Sequence, residues 1–449
     1  MEYQRGVVEL MKPLLLRLAA VLLLGLLLVV PVRAQGVQVV SSEAKPNFPA
    51  NIKFALVAEA PASQIVAVQL LYGATRGEAM TVVDLPVTAG SRVAVQHTLD
   101  TQVSYLPPGT ALTYHWLIRD AAGNELDSPP QELRYDDPRF PWKERSERNV
   151  TVLWYQGNDA FGQTLLDAAI KALDDLKVEI GAELTLPVRI YVYADLQDMR
   201  SALEPNSTEW VGGQAFSGLG IIVGAIAPAN TAEIQRLIPH ELSHQVLAQA
   251  TDNPYGGVPP WFNEGLAAHN QVRRDADWDA MVTKAAQQGR LIPLEALAAN
   301  FPTDPDQALL SYAQSRNVVE FILKTYGEAK VHALVTAFAQ ATPVETALPQ
   351  VLGRTVDELD ADWRATLPPQ TATPPVLAGP QTAPPDRFTV APMVGPTATP
   401  TTDWGDWLAG LPAWAPLTAT GLCCVIGAGV AGTLLLVGLR LAGVDKRTS

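Results

Sequence analysis

The chain has 449 residues, of which 48% are hydrophobic and 17% charged, enough apolar material for two or three packed domains. A formal net charge of -14 excludes a nucleic-acid partner, because phosphate binding needs a basic footprint. The two cysteines, Cys423 and Cys424, are adjacent in an apolar stretch, which excludes a disulfide framework and a cysteine zinc site.

In chain order, Lys12 and Arg17 precede an unbroken apolar run at 18–30, too short to span a bilayer comfortably but suited to the core of a signal peptide. Val32-Arg33-Ala34 gives the small-x-small cleavage pattern, so 1–34 reads as a signal peptide and Gln35 as the mature N-terminus; an uncleaved anchor is the other reading. Residues 35–137 read as short strands at 52–57, 65–72, 80–85, 92–96 and 112–119, broken by Gly, Pro, Asn and Asp clusters, which predicts a β-sandwich. From 149 the pattern changes to a strand at 150–154, a helix over 160–180 and a strand at 188–193. A glycine-bounded apolar run at 218–227 reads as a further strand and as a candidate edge strand for pairing with substrate backbone. Asn230 and Glu233 have capping-box spacing, and helical patterns such as 276–288 and 314–326 dominate up to 366.

Residues 367–403 hold ten prolines and eight threonines, a composition that predicts an extended spacer. Residues 417–439 carry no charge, follow Trp404, Trp407 and Trp414, and precede Arg440, Lys446 and Arg447. This predicts a single transmembrane helix with residues 440–449 as a cytoplasmic tail and everything between the two apolar segments outside the cell. Gly427, Gly429 and Gly432 match a dinucleotide-loop spacing but lie in that apolar segment with no preceding strand, so the match is spurious.

The chemistry centres on His240-Glu241-Leu242-Ser243-His244. On a helix, positions four apart share a face, so two imidazoles can reach one metal ion while Glu241 projects beside it as a general base for a metal-activated water. A catalytic zinc takes three protein ligands, and nineteen residues separate His244 from Glu264 in Trp261-Phe262-Asn263-Glu264-Gly265-Leu266-Ala267. His-Glu-x-x-His followed by Asn-Glu at this distance resembles the gluzincin peptidases, the thermolysin and aminopeptidase N clan, and the Trp-Phe-Asn-Glu-Gly-Leu-Ala run is similar to the bacterial peptidase MA-like families. The resemblance spans 149–366 and implies a zincin-like α+β domain with an α-rich second half, one Zn2+ per chain held by His240, His244 and Glu264, and Glu241 as base. Tyr312, in Ser311-Tyr312-Ala313-Gln314-Ser315, resembles the tyrosine that donates to the tetrahedral intermediate in aminopeptidase N-like enzymes; the other reading is a core aromatic at the start of a helix. In the β-rich part, Tyr114-His115-Trp116 resembles the aromatic strand of fibronectin type III-like domains.

Three departures from the clan pattern stand out. The segment 212–217 offers no carboxylate where aminopeptidases carry the glutamate that binds the substrate's amine, which favours endopeptidase action. Gln271 replaces a glutamate, so a partner for the metal-binding imidazole is expected elsewhere. Pro239 precedes His240, so the helix is expected to kink or to begin there. The expectation is a membrane-anchored extracellular zinc peptidase acting on peptides or proteins. The alternatives are a catalytically inactive peptidase-like surface binding or adhesion protein and a zinc hydrolase of a non-peptide bond.

Overall fold

The structure is a computed structural model and describes residues 36–371 except 78, 205–211, 254–256, 273–275 and 303. The expected leader, most of the spacer, the expected membrane segment 417–439 and the tail lie outside the described residues. Among the described residues no helix is long and apolar enough to cross a membrane.

A β-rich region comes first. Its strands are β1 (Gln38–Asn47), β2 (Asn51–Glu59), β3 (Ile65–Ala74), β4 (Thr81–Leu85), β5 (Arg92–Asp100), β6 (Thr110–Asp120), β7 (Glu125–Asp127) and β8 (Gln131–Tyr135). They form an antiparallel sheet of order β1-β2-β5 and a second of order β4-β3-β6-β7, with β8 also paired to β6. Alternation drives this: Ile52, Phe54, Leu56 and Ala58 of β2 point inward, as do Tyr114, Trp116 and Ile118 of β6, and both sheets share one apolar core. His115, between two inward aromatics, faces out toward Asp127.

The second region has a five-stranded sheet of order β12-β13-β11-β10-β9. β9 (Lys143–Glu147) and β10 (Val150–Trp154) lead into α1 (Asp159–Ile180), followed by β11 (Val188–Tyr193), α2 (Leu196–Arg200), β12 (Gly213–Phe216), a single 3-10 turn at Ser217–Leu219 and β13 (Ile221–Ala225). β10, β11 and β13 run parallel, while β9 and β12 close the two edges antiparallel. The helices α3 (Thr231–Ala250), α4 (Pro260–His269), α5 (Ala276–Gln287), α6 (Leu294–Ala299), α7 (Pro305–Tyr326), α8 (Glu328–Ala339), α9 (Val344–Leu352) and α10 (Val356–Arg364) follow. One face of the sheet, with Val152, Ile190, Val192 and Ile222, belongs to the core shared with α1 and α3. The other face, with Leu153, Tyr191, Tyr193 and Val223, packs against Phe48 and Tyr105 of the β-rich region and against Phe140 and Trp142.

Four expectations need correction. The run at 218–227 is not an edge: β13 lies between β12 and β11, because the glycine-rich turn folds the preceding residues back as a further strand, and the edge is β12. Of the two readings of Pro239, a beginning of the helix there is ruled out, since the helix bearing the histidines runs from Thr231 through it. A proline removes the N–H that Gln235 would have received, and the freed Gln235 carbonyl accepts instead from Val272 N–H at 3.1 Å. The capping box at Asn230 is only half made: Asn230 caps Glu233 N–H, while the Glu233 carboxylate turns to Arg236. The helix expected at 314–326 begins at Pro305, capped by Asp304, which places Tyr312 inside it rather than at its start. The spacer's first residues also pack back, with Thr371 N–H bonded to the Gln287 carbonyl at 3.1 Å.

Candidate metal centre

Helices α3 and α4 bring His240, His244 and Glu264 together, with one donor atom from each inside a common 4.8 Å. His240 Nε2 and His244 Nε2 are 3.3 Å apart, and Glu264 Oε2 lies 3.7 Å from the first and 3.6 Å from the second. Donors about 2.0–2.1 Å from a tetrahedral zinc stand roughly 3.3–3.4 Å from one another, so this triangle fits the ion closely. The elements holding it are tightly packed. A Cβ on Gly265, the residue after Glu264, would lie 2.5 Å from the Ser315 carbonyl oxygen, so only glycine lets α4 approach α7 at this point.

Each imidazole has a polar partner on its other nitrogen. His244 Nδ1 is 2.9 Å from Asn263 Oδ1, which fixes the proton on Nδ1 and leaves the Nε2 lone pair facing the triangle. His240 Nδ1 is 2.9 Å from the Gln271 amide. The amide atom nearest Nδ1 is Nε2, a donor; with the amide turned over, Gln271 presents Oε1 to an Nδ1 proton and is itself the partner expected elsewhere. Asn263 is the other partner that residue-type reasoning missed, although its place beside Glu264 in the motif was a signal. The carbonyl freed by Pro239 anchors the residue after Gln271, so the proline contributes to the same support.

Glu241 is 1% exposed and its Oε1 has no partner, an orphaned buried oxygen beside the triangle. Burial raises its carboxyl to about 7; Glu264 adds to this, while His244, Arg236 and the Ala215 backbone of β12 act against it. Burial holds His240 well below the usual imidazole range, with His244 and Arg236 adding to that. For His244 burial also lowers the value, but the carboxylates of Glu264 and Glu241 outweigh it and leave the imidazole raised. Burial raises Glu264, with His244 opposing. Tyr312 is buried in α7 against Phe301; burial raises its phenol strongly, and the charges of Glu264 and Glu241 push it further.

The edge strand completes the geometry. Ala225 N–H bonds to the Gly212 carbonyl across β12 and β13, so antiparallel alternation turns the backbone groups of Gly213 and Ala215 outward from the sheet.

Residues 168–368 match the Peptidase MA superfamily. That match supports a zincin-like peptidase clan for the helical region and a hydrolase of the peptidase type. No curated protein matches the chain. Among solved structures, a sulfane dehydrogenase from Paracoccus pantotrophus aligns at 11% identity over 19% of this chain and 23% of its own, with a TM-score of 0.13. A purple acid phosphatase from yellow lupin seeds aligns at 10% identity over 33% and 28%, with a TM-score of 0.18. A polysaccharide deacetylase from Bacillus cereus aligns at 9% identity over 38% and 58%, with a TM-score of 0.19. The chain thus spans less than two thirds of each of these three.

Proposed function

We propose that the chain is a zinc-dependent peptidase, most directly an endopeptidase, with His240, His244 and Glu264 as metal ligands. The observation that carries this reading is the 3.3–3.7 Å donor triangle with the unpartnered Glu241 oxygen beside it. A zinc ion bound there would polarise a peptide carbonyl and acidify a water. Glu241, with its carboxyl near 7 in the metal-free site, takes a proton from the attacking water and hands it to the departing amine. The substrate backbone pairs with the outward groups of β12 at Gly213, and Tyr312 donates to the developing oxyanion. Gln214, Ala215 and Phe216 offer no carboxylate to a free amino terminus, which supports internal cleavage.

The apolar segments at 18–30 and 417–439 support export and a single C-terminal anchor, with the catalytic region outside the cell. Hydrolysis of labelled casein by the zinc-loaded protein tests the reaction. Glu241→Gln should lose about 100-fold or more in rate while keeping its zinc. Wild-type turnover by that variant would sink the assignment of Glu241.

A further inference from the structure

We propose that the β-rich region sets the position of the substrate-pairing strand, with Tyr105 and Arg76 as positioning residues; this rests on the peptidase reading. The hairpin of β12 and β13 is wedged between two bodies. On one side is the metal-binding helix: a Cβ on Gly213 would lie 3.1 Å from Glu241 Oε1, and Ser217 Oγ lies 3.5 Å from the His244 carbonyl oxygen. On the other side is the β-rich region. The Tyr105 ring lies 5.9 Å from that of Phe216, the last residue of β12, and its hydroxyl donates to the Ala202 carbonyl at 3.1 Å.

Arg76 holds the tip. Gly220, which closes the hairpin turn, has φ +66, and a Cβ there would lie 1.8 Å from Arg76 Nη1, so the guanidinium lies directly on the glycine backbone. Nη1 is buried without a hydrogen-bond partner, so this nitrogen contributes no anion pairing. Leaving a charged nitrogen unpaired costs stability, and this contact fixes where the turn can sit. The hairpin therefore cannot move away from Glu241 and His244 without breaking into the Tyr105 and Arg76 contacts, nor toward them without displacing the helix. An uncovered hairpin on a sheet edge would have no such limit.

The full chain carrying Arg76→Ala, Tyr105→Ala or Tyr105→Phe tests this with labelled casein and with amide hydrogen exchange over residues 213–220. The expected result for both alanine variants is faster exchange there and a KM raised about tenfold, with kcat and zinc content near wild type and, for Arg76→Ala, the melting temperature too. Tyr105→Phe keeps the ring and should restore most of the KM. Unchanged exchange in both alanine variants overturns the proposal, as does faster exchange with an unchanged KM, or a KM rise that merely follows lost melting temperature or lost zinc. Failure of the zinc-loaded wild type to cleave casein would count against the peptidase reading, and the exchange arm would still decide whether these residues hold the strand.

Discussion

The two faces of the five-stranded sheet meet opposite kinds of neighbour. The face toward α1 and α3 is aliphatic, with Val152, Ile190, Val192 and Ile222 packed into the core that carries the histidines. The face toward the β-rich region is aromatic and hydrogen-bonded: the Tyr191 hydroxyl donates to Asp136 at 2.6 Å and the Tyr193 hydroxyl to Asp137 at 2.8 Å. Asp137 also receives Arg139 through two nitrogens, at 2.8 and 2.6 Å. Burial raises both phenols, and the neighbouring aspartates add to it, so they remain donors throughout the ordinary pH range. Aliphatic packing fixes the distance from sheet to helix but tolerates sliding, whereas tyrosine hydroxyls on fixed carboxylates define register. The first face suits a site whose geometry is set within one helix pair, and the second suits a joint between two separately built regions.

Mutations should separate the two faces. The largest effect expected is from Tyr193→Ala, which removes a fully buried ring at the joint. It should cost about 3–5 kcal/mol in denaturant unfolding, yet the protein that remains folded should bind zinc as wild type. A parallel loss of zinc affinity would show that the two faces are not independent. Next in size is Asn263→Ala, which leaves packing intact but frees the His244 ring. Zinc affinity should fall about 10- to 100-fold with little change in unfolding, measured by competition with a chelator.

An effect confined to one pH range concerns the far end of α4, where His269 lies 3.6 Å from Glu179 of α1 and 3.3 Å from Glu320 of α7. Burial lowers its value, but these carboxylates raise it to about 9. A folded value above the unfolded one means the stabilisation is complete below about pH 6.5 and disappears as pH rises through 9. Wild type should exceed His269→Gln by about 2–3 kcal/mol at pH 6 and by little at pH 9.5. A gap that widens with pH would reverse the sign.

Much of the candidate metal site was legible in the sequence, because a helix converts spacing into direction: four residues place His240 and His244 on one face whatever surrounds them. The β-rich region was legible for the same kind of reason, since Ile52, Phe54 and Leu56 alternate. What local pattern could not supply was long-range pairing. The edge strand was assigned to 218–227 on apolarity, but the strand with outward backbone is four residues preceding the turn and barely apolar. Gln271 was set aside on residue type, although a neutral amide meets the same geometric need as a carboxylate. Pro239 signalled a break because the destination of the freed carbonyl, Val272, is fixed only by the tertiary fold.

The central claim is that three side chains from two helices hold one catalytic zinc. Metal analysis of the purified protein beside Glu264→Ala tests it most directly. About one zinc per chain in the wild type, lost or sharply reduced in the variant, is the predicted result. A folded, metal-replete wild type without zinc, or a Glu264→Ala variant that keeps it undiminished, would contradict it.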